Sequence, residues 1–182
     1  MTPLISLHAR LSDWAGRMAP AVLPLAARFA FAAVLLVYFW NSARTKLGEG
    51  VLGFLSPSDG AYIQIFPKAV EAVGYDTSQL GVFHWAVAEA GLLAEFVLPA
   101  LIIVGFLTRL AALGMIGFTL VQSLTDILGH GVGGDDLGRW FDVASGALIL
   151  DQRALWVLLF MVLALLGAGP LSLDRALSNR RR

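Results

Sequence analysis

Apolar residues run almost unbroken through four stretches of the chain. Between Arg17 and Arg44 lie 26 residues carrying a single charge, Arg28. Residues 85–107 hold only Glu89 and Glu95, residues 110–128 only Asp126, and residues 154–173 no charge at all. A helix needs about 20 mainly apolar residues to cross the hydrocarbon core of a bilayer. The pattern therefore predicts an all-α protein, a four-helix transmembrane bundle with spans at about residues 21–43, 85–106, 109–128 and 153–170. Thr108 and Arg109 join the second and third spans, which makes them a tight antiparallel hairpin.

The segments between and before the spans carry patterns of their own. Leu4, Leu7, Leu11, Trp14 and Met18 recur every three or four residues, the spacing of an amphipathic helix lying on the membrane surface. Pro20 and Pro24 then fall near the expected start of the first span, where proline is best tolerated. Within residues 48–84, Tyr62, Ile65, Phe66, Ala69, Val70 and Val73 form one helical stripe opposite Gln64, Lys68 and Glu71. Pro67 suits the opening of that helix and Gly74 its close, giving an outer segment that caps the bundle. Residues 129–139 are rich in turn formers, and residues 140–150 turn apolar again. The pattern leaves two readings of 140–150 open, a re-entrant piece or an early start of the last span.

Composition narrows the class. Hydrophobic residues make up 58% of the 182, and charged residues only 14%, against about 25% in soluble domains. One membrane domain over residues 1–182 is the natural reading. The formal net charge is zero, so nothing points to a nucleic-acid partner; the expected partner surface is the lipid bilayer. The absence of cysteine excludes disulfides, thiol redox chemistry and cysteine-held iron–sulfur clusters. Arg10, Arg17, Arg109, Arg175, Arg180, Arg181 and Arg182 fall on one side of the spans, against Arg44, Lys46, Lys68, Arg139 and Arg153 on the other. The positive-inside rule then places both termini in the cytoplasm of a bacterial inner membrane.

Ionisable groups inside the spans are expensive in lipid and so are candidates for function. Arg28 and Glu95, counted along antiparallel helices, come close enough to form a buried ion pair, which serves either helix register or ligand binding. A second group gathers toward the opposite ends of the helices: Asn41 and Lys46 from the first span, Glu89 from the second, and Gln122, Asp126 and His130 at intervals of four from the third. It reads as a polar pocket or as an ordinary wet rim. His84, Glu89, Asp126 and His130 lack any diagnostic ligand spacing, so neither a metal nor a resident cofactor is expected. Trp40, Trp85 and Trp140 suit interfacial anchors. No phosphate-loop, dinucleotide or nucleophile-elbow motif is present.

Three short motifs resemble those of the DoxX family of small bacterial integral membrane proteins. They are Asn41-Ser-Ala-Arg-Thr-Lys46-Leu47 at the end of the first span, Glu95 followed by Gly105-Phe-Leu-Thr-Arg109-Leu-Ala-Ala112, and Gly169-Pro-Leu-Ser-Leu-Asp174 near the C-terminus. The chain departs from that pattern in its long first outer segment, and in having Gln122 and Asp126 where many members have a histidine. The resemblance implies a subunit or accessory of a membrane redox system, with a quinone as the expected contact and an oxidoreductase as partner. The same polar cluster also suits a small-solute transporter, and a bundle without catalysis suits a structural anchor.

Overall fold

The computed structural model describes residues 3–180. Among these residues every regular element is helical. Four helices are long and apolar enough to cross a membrane: Pro3–Val34, Val82–Val104, Thr108–Gly129 and Leu148–Leu166.

The first of these is longer than the sequence pattern suggests. Helix α1 runs from Pro3 to Val34, passes a one-residue irregularity at Leu35, and continues as α2, Leu36–Lys46. The ladder stays closed through the joint, because Leu35 N donates to Phe31 O (2.9 Å) and Phe39 N to Leu35 O (3.0 Å). The expected interfacial helix is not a separate element, since no break divides residues 3–20 from the span. Pro20 and Pro24 sit inside α1 rather than at its start. Their missing N–H groups leave carbonyls one turn earlier without helical donors, yet the chain holds its helical course. The apolar stripe is nevertheless real: Leu4, Leu7, Leu11 and Trp14 lie on that helix and are all exposed.

Helix α5 spans Val82–Val104 and α6 spans Thr108–Leu124. A wide π turn, Thr125–Gly129, carries α6 on to the start of the second long loop. A second π turn, Leu148–Gln152, leads into α7, Arg153–Leu166. This settles residues 140–150: only Leu148 onward begins the last span. Phe141 and Val143 lie in an irregular, fully exposed stretch. A short C-terminal helix, α8, covers Leu173–Asn179 and is capped by Ser172, whose Oγ accepts from Arg175 N (3.2 Å).

The four spans close into a ring. The α1–α2 rod packs on α5 and α7, α5 packs on α6, and α6 packs on α7. Aromatic side chains fill the centre, with Phe31 edge-on to Phe160 (5.7 Å between centroids) and Phe39 edge-on to Trp156 (5.9 Å). Phe31, Phe39, Phe160, Ile102, Met115 and Leu163 are fully buried there.

The two ends of the ring differ. At the tight-turn end, Gly105 (φ +68°) lets the chain reverse between α5 and α6. A Cβ at Gly105 would lie 2.6 Å from Ser172 Cβ, so the C-terminal segment can seat only against glycine. Asp174 then accepts from Leu107 N (2.8 Å) and Thr108 N (3.0 Å), and its own N–H donates to Gly105 O (2.9 Å). Two of the sequence motifs meet at this contact.

At the long-loop end, α3 (Asp59–Ile65) and α4 (Pro67–Ala72) follow one another through Phe66. The stripe expected as one helix is therefore two, because Pro67 at the first position of α4 cannot continue the ladder of α3. Gly74 (φ +64°) terminates α4, as its position suggests. Helix α3 packs on α2 and α5.

Arg28 fastens the tight-turn end. Its Nε donates to Ile102 O (2.9 Å) and its two Nη groups to Ile103, Ala168 (3.1 Å) and Leu171 carbonyls. These are the last carbonyls of α5 and those of the turn after α7. Helix C-termini carry unsatisfied acceptors and a partial negative charge, so a guanidinium meets both needs at once. The expected Arg28–Glu95 pair does not form. Arg28 lies level with residues 102–103, about 11 Å along the helix from Glu95 at 1.5 Å per residue. Arg28→Met should cost about 3 kcal/mol, the upper range for a hydrogen bond to a charged group. Arg28→Lys should recover only part of this, because an ammonium lacks the fork that reaches several carbonyls. Thermal unfolding in detergent measures both; equal stability of Met and Lys variants would refute the clamp.

Candidate functional site

Ser42 and Lys46 are one turn apart on the same face of α2. Both face Glu95 on α5. Lys46 Nζ lies 2.9 Å from Glu95 Oε2 and 3.1 Å from Oε1, and Ser42 Oγ donates to Oε1 (3.0 Å). Lys46 Nζ also donates to Ser42 Oγ (2.8 Å). Glu95 is 1% exposed and Lys46 5%, so this is a buried, mutually neutralised pair. Lys46 reaches it because the helix extends to Lys46 itself; the sequence pattern had ended the first span at residue 43. Pro99 adds a local feature, since without its N–H the Glu95 carbonyl loses its donor one turn on.

A second ion pair joins the neighbouring helices. Arg153 Nη2 lies 2.6 Å from Asp126 Oδ2, and Arg153 Nη1 donates to Ser123 Oγ (3.1 Å). Arg153 opens α7 and is buried, while Asp126 sits in the π turn that ends α6. Wide turns of this kind recur at functional sites. Gln122 Nε2 donates to the Tyr38 hydroxyl (3.1 Å), leaving its buried Oε1 without a protein partner. His130 Nε2 lies 2.9 Å from Gln64 O, which ties the end of the π turn to α3.

A cavity of about 490 Å³ opens between α2, α5 and α6 beneath α3. Lys46, Glu95, Gln122, Asp126 and His130 all line it, joined by Ser42 and Gln64. Its walls are mostly apolar, among them Val87, Leu98, Phe118 and Val121. Small residues make the room. A Cβ at Gly117 would meet nothing within 4 Å, whereas one at Gly91 would press on Ile65 Cδ1 (3.3 Å).

Four of the six polar residues expected to cluster therefore do so: Lys46, Gln122, Asp126 and His130. Asn41 does not; it is exposed and does not line the cavity. Glu89 does not either. It is buried (7% exposed), and neither carboxylate oxygen has a hydrogen-bond partner. It lies near Tyr62 of α3, whose phenol is held above the usual range first by burial and then by the charges of Asp59 and Glu89. The interval of six residues between Glu89 and Glu95 puts them on different faces of α5, which separates them. Sequence reading missed Arg153 as a cavity-side partner. Its signal was present: it is the last charge before a 20-residue apolar run. Trp40, expected as an interfacial anchor, has its Nε1 donating to Phe96 O (3.3 Å) on α5. No group of three or more potential metal ligands occurs among the described residues.

Removing one member of a buried ion pair typically costs about 3–5 kcal/mol, much of it from the charge left behind. Lys46→Met should accordingly lower thermal stability strongly, and Lys46→Met combined with Glu95→Leu should recover most of the loss. Strictly additive losses in the double variant would refute the pairing.

No curated protein and no solved structure matches the chain. The DoxX family model matches residues 23–126, a stretch that contains Lys46, Glu95, Gln122 and Asp126. That match covers more than half of the 182 residues, and the chain belongs to the DoxX family.

Proposed function

We propose that this membrane protein is an accessory subunit of a quinone-linked redox system, and that its cavity receives the quinone headgroup. The observation that carries the reading is the cavity's make-up, apolar walls around a small set of convergent donors and acids. Pockets for small molecules usually have about 300–1,000 Å³ and this balance of surfaces. A quinone is a flat apolar ring with two carbonyl oxygens. The second N–H of the Gln122 amide, whose first donates to Tyr38, is a donor for one of those oxygens. Asp126 and His130 line the same space. The electrons come from an oxidoreductase partner, which the chain itself has no cysteine-held cluster to replace. The cell inner membrane, with both termini cytoplasmic, completes the proposal.

Filling the cavity tests it. Gly117→Leu projects into open space and should leave the melting temperature within a few degrees of the unaltered protein. It should weaken binding of a short-chain quinone at least tenfold by calorimetric titration in detergent. A purified protein that binds no quinone would overturn the proposal. Solute uptake into vesicles that is abolished by Gly117→Leu, without quinone binding, would instead establish the transporter reading. Neither effect would leave a structural anchor. Reporter fusions at Asp59 and at the C-terminus should report opposite sides of the membrane, with the C-terminal one cytoplasmic; a single side for both would refute the orientation.

A further inference from the structure

The tight-turn end of the bundle holds a second depression, separate from the cavity and independent of any quinone reading. It is an open groove of about 790 Å³ between α1, the start of α6, the turn after α7 and α8. Three arginines line it: Arg17 from α1, Arg109 from α6 and Arg175 from α8. The lining has one acid, Asp174, and both of its oxygens are already committed to the N–H groups of Leu107 and Thr108. Neither ion pair found among the described residues involves these arginines. Arg17 and Arg175 make no side-chain hydrogen bond there, and Arg109 makes one long contact to Ala164 O (3.4 Å). Arg109 lies across Gly167, where a Cβ would stand 3.5 Å from its Nε. Thr108, fully buried in the groove wall, has a hydroxyl with no protein partner.

Among the described residues, three guanidiniums outside any ion pair and a hydroxyl without a protein partner form a surplus of donors. Arginine suits phosphate oxygens because its planar fork presents paired N–H groups. The depth of the groove narrows the source of that phosphate. It lies where the apolar spans stop, since α6 begins at Thr108 and α7 ends at Leu166. Leu110 (64% exposed) and Leu166 (40% exposed) border it on the faces of those spans. A ligand held here would have its anionic part among the arginines and its apolar part along the leucines.

We propose that this groove binds the headgroup of an anionic phospholipid, with the acyl chains descending along the outer faces of α6 and α7. Bound lipid would bridge α1, α6 and α8.

Native mass spectrometry of the full chain, released from neutral detergent with added lipid, tests the proposal. Phosphatidylglycerol should bind at least tenfold more tightly than phosphatidylcholine of the same acyl chains. Replacing Arg17, Arg109 and Arg175 together by glutamine should reduce that preference to within twofold. Should the triple variant fold poorly, R17Q/R175Q changes only two exposed side chains and should still reduce the preference at least threefold. Arg44→Gln with Lys68→Gln, at the opposite end, should leave it unchanged. Equal affinity for the two lipids, or a preference that survives R17Q/R175Q, would overturn the site. Displacement of phosphatidylglycerol by millimolar inorganic phosphate would overturn the lipid assignment in favour of a free phosphate anion.

Discussion

A polar group inside a bilayer has no water to bond, so each one must find its partner within the protein. The Lys46–Glu95 pair answers that constraint most directly, and the geometry of the long-loop half follows from it. Glu95 lies well inside α5, so its cation must come from an adjacent helix at the same depth. Lys46 meets that need only if α2 remains helical to its last residue. The segment after it must then close over the pair. Ser58 N donates to Lys46 O (2.9 Å), Ser58 Oγ to Thr45 O (3.0 Å), and Gln64 Nε2 to Thr45 Oγ1 (3.1 Å). These bonds draw α3 across the helix ends and roof the cavity.

The same constraint acts differently at the other end. There the unsatisfied groups are backbone carbonyls at the ends of α5 and α7, and the partner is the half-buried Arg28. A guanidinium can serve several carbonyls because its donors diverge in one plane. Asp174 performs the complementary task for the N–H groups that open α6. The reversal between α5 and α6 is thus held by one acid and one base that form no salt bridge with each other. Removing either would expose helix-terminal groups that lipid cannot solvate.

Much of this was legible in the sequence. The four spans appear in the hydropathy pattern because length and apolarity are local properties. Gln122, Asp126 and His130 share a face by spacing alone, and Lys46 was placed near them at the same helix ends. What the sequence did not disclose was the partner of each charge. Counting residues along straight helices put Arg28 opposite Glu95, while tertiary packing offered Arg28 a set of carbonyls closer by. Pairing depends on where neighbouring helices start, and the span boundaries were off by three residues at both Lys46 and Val82. An error of three residues shifts a side chain about 4.5 Å along a helix, enough to change which neighbour it meets. Glu89 left the expected cluster for the related reason that its face of α5 packs under α3, away from α6.

Charge balance sets what each depression is suited to hold. In the cavity, Lys46 is neutralised by Glu95 and Asp126 by Arg153, so the fixed charges cancel. Its other polar groups, Ser42, Gln64, Gln122, Thr125 and His130, join no ion pair among the described residues. An ion entering this space would lose its hydration without gaining a net counter-charge, a cost that apolar walls would raise. A neutral molecule with polar carbonyls pays no such penalty and gains from the donors. The groove at the opposite end is the reverse case. Its three arginines face one acid that is already bonded, so a neutral occupant would leave the excess charge uncompensated, and an anion would offset it. One chain of zero formal net charge thus presents two depressions of different charge balance, because the charges are cancelled in pairs in the cavity and left in surplus among the described residues of the groove.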